Sequence, residues 1–302
     1  DANTAYASNG ITGLGNEIAS ISDVSITASV LNTLDGNTTG EVNGTNLTTI
    51  TGATADVNTV YASSGITNLG NETVTITDTS VAATVLSTLD GNTTGTVNAN
   101  TLNTITGTAA EVLIAYASSG ISNLGTENVT LSGTVSVADL TTIQAKSGNT
   151  YQLTPNSDGT YSATGTDPGY RVSGATIIEG DVATLLTLKG YTSCNVNITD
   201  TSVSAVDIVT LENMVGPDVS LSNVSTITST AAAVSAVTTL YSNNSSDVTN
   251  KGSQAITITD GSITSTQANA IDGYTSGVVT ATISTTAIAD LDDLTGTGNA
   301  YT

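Results

Sequence analysis

Two short stretches show the pattern that organises this chain. Val74 and Ile76 alternate with Thr75 and Thr77, and Ile105 sits between Thr104 and Thr106. A period of two in β-branched residues predicts half-buried strands, with valine and isoleucine inward and threonine outward. The period then changes: Val81, Val85, Leu86 and Leu89 recur at about one helical turn before Asp90-Gly91-Asn92, which predicts a short helix and its stop. In the sister stretch, Thr108-Ala109-Ala110-Glu111 has the spacing of a capping box, and Val112, Ile114 and Tyr116 follow before Ser119-Gly120. A second helix is predicted there, although those residue types also suit a strand.

The pattern repeats. Ile11 to Gly65 reads almost letter for letter like Ile66 to Gly120, a unit of 55 residues divided into two related halves. Tyr-Ala-Ser-Ser/Asn-Gly returns at Tyr6, Tyr61 and Tyr116, and Leu-Asp-Gly-Asn-Thr-Thr-Gly at Leu34 and Leu89. Self-similarity at such a period predicts a solenoid, in which a unit buries its apolar face only against its neighbours. The expected fold is a β-solenoid of about ten coils, each with a short parallel strand, a turn and a short helix.

Three regions follow from this reading: a block with the 55-residue repeat over 1–145, an irregular insertion over 146–175, and a diverged block over 176–302. In the insertion, Tyr151-Gln-Leu and Thr160-Tyr-Ser-Ala flank Asn156-Ser-Asp-Gly159, which predicts a hairpin. Asp1 to Gly10 matches Asp56 to Gly65, so the chain is expected to be a segment of a longer array.

Composition narrows the chemistry. Phe, Trp and His are absent, and Tyr is the sole aromatic type, so the core must be built from Val, Ile, Leu and Ala. The formal net charge is -22, which argues against nucleic acid and anionic membranes as partners and suits a saline, extracellular setting or one with divalent cations. No apolar run approaches the length of a membrane span, so no membrane insertion is expected. Cys194 is the single cysteine and reads as a small buried hydrophobe. Without histidine, Ser-His-Asp and Cys-His nucleophile systems and Cys/His zinc sites are excluded. Carboxylate pairs such as Asp290 with Asp292 and Asp293 remain, but a glycosidase of this kind would be expected to add aromatic platforms. No enzymatic activity is expected.

Two sets of residues carry the candidate chemistry. Asp78, Asp200 and Asp260 follow the Thr-x-Thr runs, and Asp35 and Asp90 occupy equivalent Asp-Gly turns, so stacking would line them into columns. Calcium takes six to eight oxygens, which such columns with neighbouring carbonyls could supply; helix capping and turn formation are the alternative roles for these aspartates. No other cofactor is expected. The second set is Thr49, Thr51, Thr75, Thr77, Thr104, Thr106, Thr226, Thr228, Thr257 and Thr259, which would form a grid if the strands stacked in line. That grid resembles the ice-binding face of β-solenoid antifreeze proteins, although Ser20, Ser22, Ser132, Ile178, Asn197 and Ser284 interrupt it.

The repeat wording, NTxYASSGIxxLGNE, TITDTSV and LxTLDGNTTG, resembles long, acidic, threonine-rich arrays of very large surface proteins of marine cyanobacteria. The likeness is close over 1–145 and loose over 195–302. It implies an extracellular or cell-surface structural or adhesive role, in a layer, filament or adhesin spacer, and carries no catalytic residues. Expected partners are further copies of the chain or adjoining repeats, with ice or surface polysaccharide as alternatives and a phage or viral fibre as a rival setting. The sequons at Asn37 and Asn46 would accept glycans only in a suitable host.

Overall fold

A row of apolar residues runs across each of several narrow parallel sheets, and the chain returns to the row after every short helix. The computed structural model describes residues 2–147, 152–155, 161–164, 172–173, 175–187, 195–215, 218–242, 247–284, 294 and 298–302, with backbone alone at 152–155, 161–164 and 172–173. Cys194, Asp290, Asp292, Asp293 and the turn Asn156 to Gly159 lie outside the described residues. The chain divides into two compact units, one of Asp1–Ser132 with Asp139–Gly174 and one of Gly133–Ala138 with Ala175–Thr302.

In the first unit, a five-stranded sheet joins Ser25–Thr27, Thr49–Gly52, Thr73–Ile76, Val97–Asn98 and Ile121–Ser122. Every pair is parallel, and the register aligns Ile26, Ile50, Val74, Val97 and Ile121 in one row. All of that row except Ile26 is buried. A second sheet aligns Val81, Ile105 and Val129, and a third aligns Ala19, Val42 and Ile66. Alternation in sequence therefore becomes an inward ladder of branched side chains, each burial contributing about 2 kcal/mol.

Sheet membership shifts along the chain. Val42–Asn43 and Thr49–Gly52 precede the helix Thr54–Ala62, as Val97–Asn98 and Thr104–Gly107 precede Ala109–Ala117, and in each case the two strands lie on different sheets. The handover occurs where three strands come in succession, Ile66–Thr67, Thr73–Ile76 and Ser80–Ala82, each on its own sheet. Val81 thus belongs to a strand beside Ile105, not to the helix predicted from its spacing. The helix runs over Ala83–Asn92, beginning once the ladder ends, and it includes the Asp90-Gly91-Asn92 predicted to stop it. Asp35 and Asp90 therefore sit in the last turns of Ala28–Asn37 and Ala83–Asn92, not in Asp-Gly turns.

The helices bury residues at every third position. Ala28, Leu31 and Leu34 face inward in Ala28–Asn37, Ala83, Leu86 and Leu89 in Ala83–Asn92, and Ala109, Val112 and Ala115 in Ala109–Ala117. An alanine leads each of these stripes. Successive helices pack on one another from Ala28–Asn37 to Ala109–Ala117. The capping box is formed: the Thr108 hydroxyl accepts from the Glu111 N–H, and the Glu111 carboxylate accepts from the Thr108 N–H. That closes the choice between helix and strand in favour of helix.

The second unit repeats the plan. One sheet runs through Thr134–Ser136, Ile177–Gly180, Asn195–Ile198, Val219–Ser220 and Val248–Thr249, and another through Ser202–Ser204, Thr226–Ser229, Ala255–Ile258, Val279–Ala281 and Ala300–Tyr301. All their pairings are parallel. In the first unit, the antiparallel pair Gln152–Pro155 with Tyr161–Thr164 departs from this plan. The fold is α/β, a repeat-like arrangement of short parallel strands and short helices. No described helix is long and apolar enough to cross a membrane.

Candidate functional surfaces

The threonines do not form one continuous grid. Thr27, Thr51 and Thr75 lie side by side, but the next place in that row is Asn98 and the last is Ser122. Thr104 and Thr106 are on another sheet, between Ser80 and Ala82 on one side and Asn128 and Thr130 on the other. Thr226 faces Ser202 and Ala255, while Thr228 lies between Ser204 and Thr257, which is followed by Thr280. Thr77 and Thr259 fall just past their strands and are exposed; the other eight are half-buried. The expected alignment of Thr75/Thr77 with Thr104/Thr106 is therefore corrected: the three-strand handover moves them to different sheets. Thr259 also donates its hydroxyl to the Ser229 carbonyl at 3.2 Å.

The five aspartates bond to protein groups instead of to one another. Asp78 accepts from both the N–H and the hydroxyl of Thr54, at 2.7 and 2.6 Å. Thr54 opens a helix whose N-cap, Ala53, has no side-chain oxygen to offer, so a residue 24 positions later supplies the cap. Asp200 accepts from Val182 N–H at 2.6 Å, and Asp260 from Ala231 N–H at 3.3 Å. Asp35 and Asp90 each accept from a serine hydroxyl at 2.7 Å, Ser63 and Ser118, at the ends of the next helices. A Cβ on Gly65 or Gly120 would lie only 2.2 or 2.1 Å from those carboxylates, which explains the glycine that closes Tyr-Ala-Ser-Ser-Gly. Among the described residues, no group of three or more His, Cys, Asp or Glu side chains could hold a metal ion.

The most buried polar groups are ones the pattern of apolar spacing did not single out. Glu72 and Glu127 are essentially inaccessible, at 0% and 1% exposure. Glu72 accepts from Gly70 N–H at 2.8 Å and from the Tyr61 hydroxyl at 2.9 Å, while its other oxygen has no partner among the described residues. Glu127 accepts from Gly125 and Thr126 N–H groups. Glu17 holds Gly15, Asn16 and Tyr6 in the same way, and the Gly15 N–H foremost holds its carboxyl below the usual range. Burial, reinforced by the Glu72 carboxylate, pushes the Tyr61 hydroxyl well above its ordinary value. The signal in the sequence was the recurring Leu-Gly-x-Glu.

The Thr-Thr-Gly that follows each Asp-Gly-Asn completes this loop. The Thr93 hydroxyl donates to the Glu72 carbonyl at 2.7 Å and accepts from Gly95 N–H at 3.0 Å. Gly95 approaches so closely that a Cβ there would sit 2.3 Å from the same carbonyl. Beside it, Asn68, Asn123 and Asn250 adopt φ near +60°, a conformation asparagine tolerates better than most residues. The Asn68 and Asn123 amides donate to the Asn43 and Asn98 carbonyl oxygens, one per repeat.

The recurring words of the sequence are thus contact residues between neighbouring half-repeats. No protein-family model, no curated protein and no solved structure matches this chain.

Proposed function

We propose that the chain is a non-enzymatic structural repeat module, a right-handed solenoid of about ten coils that serves as an extracellular or cell-surface spacer in a layer, filament or adhesin. The observation that carries this reading is the destination of the recurring polar residues. Asp35, Asp78, Asp90, Glu72, Asn68 and Thr93 all bond within the repeats or to the neighbouring half-repeat. Selection for a binding site concentrates polar groups in one place, whereas selection for an array distributes the same bonds once per repeat.

The resemblance to the surface arrays of marine cyanobacteria points the same way, as does the acidic charge of -22, which keeps a β-rich array soluble in salt. Its partners are adjoining repeats or further copies, through the unpaired edges of strands. The rows of mixed Thr, Ser and Asn give little support to an ice-binding face.

Excision of Ile66–Gly120, one whole period, tests the reading. The shortened chain is expected to fold with the same circular dichroism per residue and to lose about 10 Å of maximum dimension in solution scattering, two strand spacings. A shortened chain that unfolds, or one whose dimensions shrink equally in all directions, would count against a solenoid spacer.

A further inference from the structure

We propose that the second unit carries a binding site for a neutral saccharide, on the sheet that contains Asn195–Ile198, Val219–Ser220 and Val248–Thr249. A depression of about 300 Å³ opens there, near the small end of the range for ligand clefts. Ile177 contributes apolar surface, and Asn195, Asn197, Asp218 and Thr249 contribute polar groups.

The first unit shows what these positions do when they are closed. Glu41 immediately precedes the strand Val42–Asn43, and its carboxylate accepts from the hydroxyl of Thr67, the register partner of Asn43. Asp218 immediately precedes Val219–Ser220, and Thr249 is the register partner of Ser220. The aspartate is one methylene shorter, and among the described residues no hydrogen bond joins it to Thr249. The carboxylate and hydroxyl that are hydrogen-bonded to each other in the first unit therefore line an open depression in the second. Ser222 donates to the Asn197 carbonyl oxygen at 3.1 Å, which fixes that amide with its NH2 group directed elsewhere as a donor.

The ligand class follows from this set. Rigid strands present donors from asparagine and threonine, an acceptor carboxylate that makes strong charge-assisted bonds to hydroxyl groups, and one aliphatic side chain, Ile177, for the C–H face of a sugar ring. A single carboxylate repels uronic acids and sulfated sugars, and falls short of the six to eight oxygens of a calcium site. Without an aromatic platform the affinity should be weak, of the order of 1 mM.

The test is a titration of the 15N-labelled full chain with neutral tetrasaccharides of glucose, galactose and mannose, followed by amide chemical shifts. Saturable shifts are expected at Asn195–Asn197, Asp218–Ser222 and Thr249, with none at Glu41, Asn43 or Thr67. Asp218→Glu, which copies the first unit, should weaken the binding at least fivefold and leave the melting temperature unchanged. The absence of saturable shifts with all three sugars would overturn the proposal, as would shifts that Asp218→Glu leaves intact.

Discussion

The near-identical repeats of Ile11–Gly120 and the diverged ones after Ala175 arrive at the same backbone by different side chains. Glu72 and Glu127 tie down the turn before their strands with carboxylates, while Gln254 does it with an amide: its oxygen accepts from Gly252 and Ser253 N–H groups and its nitrogen donates to the Asn250 carbonyl. Thr38 and Thr93 in one region, and Thr275 in the other, donate to the backbone carbonyls of Glu17, Glu72 and Gln254. Asn46 and Asn223 each donate to the carbonyl of an isoleucine in the preceding half-repeat, Ile21 and Ile198. The comparison teaches that the fold constrains where a bond is made and how much room it has. It is indifferent to whether the acceptor is charged.

Substitutions in the apolar rows should break both regions alike. Ile76→Asp or Ile105→Asp in the first unit, and Ile227→Asp or Ile256→Asp in the second, put a carboxylate where the side chain is 0% exposed. Each should cost more than about 4 kcal/mol, with loss of cooperative unfolding in urea. A melting curve left unchanged by any of them would contradict the assigned register.

The close approaches come next. Gly95→Ala and Gly277→Ala each place a Cβ 2.3 Å from a backbone carbonyl, of Glu72 and Gln254. Both should cost about 2–3 kcal/mol by chemical denaturation. Gly91→Ala, whose Cβ would meet nothing within 4 Å, should be neutral or slightly stabilising because it lies in a helix. If Gly277→Ala alone were tolerated, the equivalence of the two regions at this turn would fail.

Exchange of the buried acid for its amide sharpens the comparison. Glu72→Gln should lie within about 1 kcal/mol of the parent chain, because the amide oxygen can accept from Gly70 as Gln254 accepts from Gly252. Glu72→Ala removes the acceptor altogether and should cost about 2 kcal/mol or more in the same assay.

These elements differ in how legible they were. The strand cores and the Thr108–Glu111 cap could be read because each is a local pattern that local geometry satisfies, whereas Asp90-Gly91-Asn92, read as a stop, forms the last turn of the helix, which ends at Thr93. The aspartate roles were legible as alternatives only: whether Asp78 caps a helix or binds a metal depends on Thr54, 24 residues away. The threonine grid failed for a related reason. Repeats at a constant period suggest a constant sheet, but the register pairs Thr75 with Asn98 and Thr104 with Ser80, so successive Thr-x-Thr runs fall on different sheets. Glu72 was overlooked because a buried acid looks like any surface acid until its partners, Gly70 and Tyr61, are placed around it.

The pH dependence should be the mildest effect. Glu17 and Asp181 have carboxyl groups held low, chiefly by hydrogen bonds from Gly15 and Thr184, so their contribution is present above the unfolded carboxylate range and fades as pH falls through their folded values. Tyr61 and Tyr241, raised mainly by burial, contribute fully below the unfolded tyrosine value near 10 and lose that contribution as pH rises beyond it. Stability against urea should therefore fall at both extremes, and Tyr61→Phe should flatten the alkaline limb. An alkaline limb identical in Tyr61→Phe would remove that tyrosine from the account.

The central claim is that the recurring polar residues bond one half-repeat to the next. A double-mutant cycle on Asp90→Ala and Ser118→Ala, by urea unfolding in calcium and again in chelator, tests it most directly. The 2.7 Å bond between these side chains predicts a coupling of about 1 kcal/mol, the same in both solutions. A coupling near zero, with a stability that collapses in chelator, would contradict it and make Asp90 a metal ligand.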